Sequence, residues 1–258
     1  MLTVSSMTLR VGCSGSGLGI HLACQSIQLG ECSSAIVAGA NIILSPETTM
    51  LMADGGAISP DASSKTFDAT ANGYVRADGV NCLYIKRLDE AIRDGNPIRA
   101  VIRGTSTNAG GKSSALTAPN INAEETLIKA AYRNAGVDPA RTAMVECHGT
   151  GTAMGDAIEA AAVARVFGDK GIYIGAVCSD KTLTCCYSYA YSQNLKVKPN
   201  LGHSEGASAI SSILKAIVEL ENRTILPNIK FNTPSPRSRY MTYPQMSYGR
   251  LRIRSSMG

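Results

Sequence analysis

The sequence of 258 residues has no tryptophan, three phenylalanines and three histidines. With so few large aromatics, Leu, Ile, Val, Ala and Met must fill any core. Apolar residues still make up 44% and charged ones 17%, which excludes a disordered tail, a collagen-like chain or a coiled coil. No apolar run approaches the roughly 20 residues of a membrane span. The start, MLTVSSMTLR, lacks the charged residues followed by an apolar run that mark a secretory leader. The eight cysteines contain no C-x-x-C pair, which argues against structural zinc, and without a leader they are expected as reduced thiols. The net charge of +5 comes from basic residues scattered along most of the chain, so nothing points to nucleic acid. These absences predict a soluble, cytoplasmic protein.

The 25 glycines punctuate alternating helix and strand signals. A short strand is predicted at 7–11, and a buried helix at 18–29 that stops at Gly30. The unbroken apolar run 35–44 predicts a strand covered on both faces. Residues 45–79 read as loops. Strands at 80–86 and 98–107, separated by a short helix at 88–93, are expected to pair antiparallel. Further on come a helix at 123–135 stopped by Gly136, a turn at Asp138-Pro139, a strand at 143–146, an Ala-rich helix at 156–167, a strand at 172–177 and a helix at 206–220. This order predicts an α/β sandwich with buried sheets. Two segments break the pattern: the Cys-, Tyr- and Ser-rich stretch 177–196, and residues 235–258, with five arginines and no periodicity.

Few residues offer chemistry. Cys13, in Val-Gly-Cys-Ser-Gly-Ser-Gly, lies between a strand and a helix signal. A helix start stabilises a thiolate and can donate to an oxyanion, and each unit of thiol pKa depression needs about 1.4 kcal/mol. A buried core cysteine is the competing reading. His148 and His203 both sit in Gly-rich turns between a strand and a helix, the edge where sites form in α/β folds. They could serve as donors to an enolate, as base and orienter, or as satisfied structural histidines. His21, inside a helix, reads as structural, and no spacing supplies a third metal ligand beside His148 and His203. Thr150 and Thr152 alternate with glycines and either face a ligand or serve the turn. Lys198 and Glu205 flank His203 and are positioned to pair with each other or to stand solvated. The glycines at 12–19 lack the Gly-Lys-Ser/Thr of a phosphate loop, so nucleotide binding is rejected.

Taken together, GCSGS with HLACQSI, KTFDATANGYVRADG, ECHGTGTAMGD and VKPNLGHSEGAS resemble, in that order, the β-ketoacyl synthase (ketosynthase) domain of type I polyketide synthases of the fungal, highly reducing sort. The similarity runs from about residue 10 to 236, leaving 237–258 as an atypical tail. Residues 177–196 interrupt it as an insertion. Without them the chain reads IYIGAVKPNLGHSEGAS, and the inserted stretch has the features of a translated intron. Arg10-Val11-Gly12 stand where the family usually has Asp-Thr-Ala, and Gly17 where a leucine usually follows. The stretch upstream of the nucleophile and the Gly-Phe-Gly-Gly-type turn near the domain end find no counterpart, so the resemblance implies a thiolase-like α-β-α-β-α layered fold, incomplete at both ends.

The resemblance implies that Cys13 accepts the acyl chain, that His148 and His203 are the active-site histidines, and that Thr150 and Thr152 bind the phosphopantetheine arm. It implies that Lys198, with Glu205, braces His203. The implied reaction is acyl transfer to Cys13 followed by decarboxylative Claisen condensation with a malonyl thioester. No cofactor is bound directly; the substrates ride on the phosphopantetheine of an acyl carrier protein. The implied setting is a homodimer with other polyketide synthase domains. The alternative is an inactive ketosynthase fragment with a binding or structural role.

Overall fold

The computed structural model describes residues 6–111, 119–168, 171–175, 201–226 and 228–238, together with the backbone of 251–253. The elements are α1 (Gly15–Gln28), β1 (Ser34–Asn41), α2 (Glu47–Asp54), β2 (Gly79–Lys86), α3 (Leu88–Arg93), α4 (Ile121–Ala135), β3 (Met144–Glu146), α5 (Gly155–Phe167), β4 (Ile172–Gly175), α6 (Ser208–Asn222) and β5 (Leu251–Ile253). The insertion at 177–196, Lys198 and most of the tail lie outside the described residues. No helix among the described residues is long and apolar enough to cross a membrane.

Local chemistry sets several boundaries. The Asn120 side chain accepts the backbone N–H groups of Asn122 and Ala123 and so caps α4. Gly136, at φ +61°, ends that helix in the left-handed conformation. Asp138 caps the 3-10 turn at Pro139–Arg141 in the same way, through the Ala140 N–H.

Two small sheets form among the described residues. β1 and β2 pair antiparallel, with Val37 opposite Leu83 and Ile36 opposite Tyr84. β3 pairs parallel with β4, and β4 antiparallel with β5. Side-chain alternation then dictates the layering. Val37, Leu83 and Ile85 point from the first sheet into a core with Ile20 of α1 and Ile210 of α6. On the second sheet Val145, Ile172 and Ile174 face α5, joined by Phe67 and by Tyr132 of α4. The opposite parity, Glu146 and Gly175, faces Lys215 of α6. Helix α6 therefore lies between the sheets, with α1 beside it on the first sheet, and α5 with α4 backs the second one.

Four expectations need correction. Residues 45–79 are not loop throughout: Glu47–Asp54 form α2, with the Glu47 carboxylate in the first turn, where it favours a helix start. Residues 7–11 and 98–107 form no strand, and the partner of β2 is β1 rather than 98–107. The run 35–44 is covered on one face only: Ile36 is 76% exposed, and Tyr84 opposite it and Val80 opposite Ala40 are exposed as well. A period of two sends these residues to the outer face, where no described residue covers them. Helix α1 is half-buried rather than enclosed, with only Ser16, Ile20 and Ile27 buried. His21, as expected, is structural: its Nδ1 is hydrogen-bonded to Thr105 Oγ1 at 2.8 Å.

Candidate active site

Three segments far apart in sequence converge where the central helices begin. Cys13 lies two residues before α1, partly buried, and its sulfur is 2.9 Å from His203 Nε2. Its carbonyl accepts the hydroxyl of Ser208, the first residue of α6, at 3.2 Å. This meeting of two helix starts depends on Gly39 in the middle of β1. A Cβ there would stand 2.8 Å from Ala207 Cα and 2.9 Å from Ser16 Cβ, so only glycine lets α1 and the turn before α6 approach together. A glycine inside a strand run was the available signal for this role, one that motif reading passed over.

His203 is fully buried. Its backbone N–H donates to Val75 O and its carbonyl accepts the Ala77 N–H, a parallel bridge that staples the turn to residues 75–77. Gly202 makes the approach possible, since at φ +88° a Cβ would lie 2.7 Å from Val75 O. Tyr74 stands edge-on to the His203 ring at a centroid distance of 5.1 Å. Burial, reinforced by the charges of Cys13 and Glu205, pushes the Tyr74 phenol up to about 12, so it stays neutral.

Glu205 has a different described partner from the one expected. Arg76 bonds it through Nε at 2.5 Å and through Nη2 at 3.3 Å, while Arg76 Nη1 donates to Thr49. The bridge between residues 76 and 203 brings the two side chains together, a long-range pairing that sequence neighbourhood does not reveal.

His148, exposed at the end of β3, turns its ring toward His203 with centroids 5.1 Å apart and planes at 78°. Two carboxylates of α5 hold its turn. Glu159 accepts the N–H groups of His148 and Gly149, and buried Asp156 accepts those of Gly151 (3.0 Å) and Phe67 (2.6 Å). Thr66 adds a hydroxyl bond to Gly149 O at 2.6 Å. Within the turn, the hydroxyls of Thr150 and Thr152 lie 3.1 Å apart and half-buried.

The fold thus brings together Cys13, His148 and His203, whose donor atoms all lie within 4.8 Å of one another. The third donor that sequence spacing did not supply beside the two histidines is the Cys13 sulfur. Beneath His148, Lys215 Nζ bonds Glu146 Oε2 at 2.6 Å and lies 3.5 Å from Glu219 Oε1, tying β3 to α6. Burial pushes the Glu219 carboxyl up, against the opposing pull of Lys215. A thiol against an imidazole at the start of a helix, with a second imidazole beside it, suits nucleophilic attack on a carbonyl and hydrogen bonding to an oxyanion.

Comparisons with known proteins converge on one family. Residues 2–91 match the family model of the β-ketoacyl synthase N-terminal domain, and residues 99–185 and 188–232 that of the C-terminal domain. The chain is 54% identical over 233 residues to the highly reducing polyketide synthase VdtX of Byssochlamys spectabilis, which takes in 90% of the chain and 10% of that protein. It is likewise 54% identical to the highly reducing polyketide synthase pspA of Penicillium soppii, over 90% of the chain and 8% of the relative. The chain therefore spans about a tenth of the length of these curated relatives. Among solved structures, the oxazolomycin ketosynthase domain OzmH KS7 of Streptomyces albus JA3453 superposes with a TM-score of 0.78 at 30% identity, over 90% of this chain and 39% of that one. The ketosynthase from module 6 of the bacillaene synthase of Bacillus subtilis 168 gives 0.77 at 33% identity, over 88% and 38%.

Proposed function

Because the chain belongs to the β-ketoacyl synthase family, we propose that it performs acyl transfer and decarboxylative Claisen condensation in polyketide chain elongation, with Cys13, His148 and His203 as its catalytic residues. The observation that carries this reading is the 2.9 Å contact between the Cys13 sulfur and His203 Nε2, with the His148 ring set against His203. His203 takes up the thiol proton as the α1 start stabilises the thiolate. Cys13 attacks the acyl thioester delivered on the phosphopantetheine of a carrier protein, and the carrier thiol leaves. A malonyl thioester then binds, its arm held by Thr150 and Thr152. His148 and His203 donate hydrogen bonds to the thioester oxygen while CO2 departs, stabilising the enolate. The enolate carbon attacks the acyl-Cys13 carbonyl, the C–S bond to Cys13 breaks, and the β-keto product remains on the carrier.

Glu205 supports His203 through the 203–207 turn, and Lys198 is assigned the same duty. On this reading the chain works in the cytoplasm as one domain of a homodimeric, multidomain synthase, in keeping with relatives named highly reducing polyketide synthases. Residues 1–236 are a partial ketosynthase domain and 237–258 an atypical tail. Residues 177–196 are an insertion from an unspliced intron, and a mature transcript that keeps these codons, with no shorter form, would make them part of the protein.

Release of CO2 from a malonyl-carrier thioester tests the division of labour. Cys13→Ala should still decarboxylate, because the nucleophile takes no part in that step. His203→Ala should lose about 10²–10³-fold, the usual cost of one oxyanion donor. Decarboxylation by His203→Ala at the parent rate removes the role assigned to His203. No CO2 from the unaltered chain leaves it a binding or structural role.

A further inference from the structure

The site unites one sulfur and two imidazoles with no carboxylate among the donors. That donor set is the one soft and borderline cations select, whereas magnesium and calcium require oxygen. We propose that Cys13, His148 and His203 together form a binding site for a divalent cation of the zinc class, which on occupancy seals the nucleophile against thioesters.

The geometry needs only small adjustment. Bonds of ~2.3 Å to sulfur and ~2.0–2.1 Å to nitrogen place tetrahedral donors about 3.4–3.6 Å apart. The donors here already lie within 4.8 Å of one another, and the Cys13–His203 pair, at 2.9 Å, needs to open slightly to admit the ion. Two ligands have anchored backbones, so that only their side chains need to part: His203 is stapled to residues 75–77, and the Cys13 carbonyl is bonded by Ser208 of α6. The third, His148, is exposed and can close the remaining gap by side-chain rotation. Three protein ligands leave a fourth position for water on the exposed His148 side, the pattern of an open rather than a closed zinc site. Binding exchanges the thiol proton for the metal: the S–H bond breaks, an S–metal bond forms, and the proton passes to solvent. No change of oxidation state is involved. Because the ligands sit at positions 13, 148 and 203, no linear spacing motif could announce the site.

The binding itself does not depend on the reaction assigned above; only the blocking of thioesters rests on that reading. Titration of the reduced chain with Co2+ should produce a thiolate-to-cobalt charge-transfer band together with the visible bands of four-coordinate cobalt. The bands should saturate at one equivalent, vanish on adding Zn2+ and survive excess Mg2+. Cys13→Ser should abolish the charge-transfer band, and His148→Ala should weaken binding at least about 10-fold. Cys82→Ser, at an exposed thiol on the outer face of the first sheet, should leave the bands unchanged. In the unaltered chain, Zn2+ at 100 times its dissociation constant should slow iodoacetamide alkylation of Cys13 about 100-fold while sparing Cys82. Absence of the band, its persistence in Cys13→Ser, or unprotected alkylation of Cys13 overturns the proposal. A chain that releases CO2 but shows no band refutes the metal site alone; one that shows the band but never decarboxylates refutes the condensation reading alone.

Discussion

Replacing Lys215 with methionine should destabilise the protein by about 3–5 kcal/mol, the usual cost of removing one partner from a buried ion pair. The magnitude follows from the surroundings of the ammonium. Its side chain is 4% exposed, and the Glu146 and Glu219 side chains beside it are 10% and 5% exposed. At an effective dielectric of about 20, separations of 2.6 and 3.5 Å correspond to gross attractions of roughly 6 and roughly 5 kcal/mol, which desolvation largely offsets. Methionine fills a similar volume, so the loss comes from removing the ammonium that the two buried carboxylates share rather than from a cavity. Urea unfolding followed by circular dichroism reads it as a lower midpoint at unchanged slope; with a slope of about 2 kcal/mol/M the midpoint falls by about 2 M.

The pH dependence supplies an independent check. Burial holds the Glu219 carboxyl above its ordinary value, so its contribution is fully present below the unfolded-state pKa and is lost as pH rises through the folded one. Removing Lys215 takes away the charge that opposes this shift. The variant should therefore recover part of its stability in mild acid and be weakest in mild alkali. Lys215→Met combined with Glu146→Leu should cost less than the two single changes added together. A loss under about 1 kcal/mol, or an equal loss across that pH range, would refute the argument that this pair ties β3 to α6.

Three further outcomes are expected. The Glu124 carboxyl is pushed up to about 7 by burial and by the charge of Glu159, so its contribution is present below the ordinary carboxylate range and lost as pH rises through about 7; Glu124→Gln should flatten that part of the Tm-against-pH curve. Gly39→Ala forces a methyl against the backbone of residues 206–207 on one side and Ser16 Cβ on the other and should cost about 1–3 kcal/mol, while slowing Cys13 alkylation by disturbing the meeting of α1 and the turn before α6. Asp156→Asn keeps the shape but replaces one acceptor oxygen with a donor facing the Gly151 or Phe67 N–H; a loss of about 1–3 kcal/mol in chemical unfolding is expected, and none would show that Asp156 does not hold the turn.

Much of the local architecture was legible in the sequence. Helix 88–93, the Gly136 stop, the Asp138-Pro139 turn and strand 143–146 rest on caps, turn residues and short apolar runs, and each acts within a few residues of itself. The motif resemblance pointed to Cys13, His148 and His203, because each carries its own Gly-rich turn into the text of the chain. What lay beyond reach concerns partners distant in sequence. That β2 pairs with β1, that only one face of β1 is covered, and that Glu205 pairs with Arg76 depend on which segments the fold places side by side. The same holds for the Cys13–His203 contact and for the buried Lys215 pair, which join residues 190 and 69 positions apart. Local propensity fixes backbone angles one turn at a time, whereas pairing and burial are decided only when α1 and α6 meet on the first sheet, where glycines at 39 and 202 leave room for the approach.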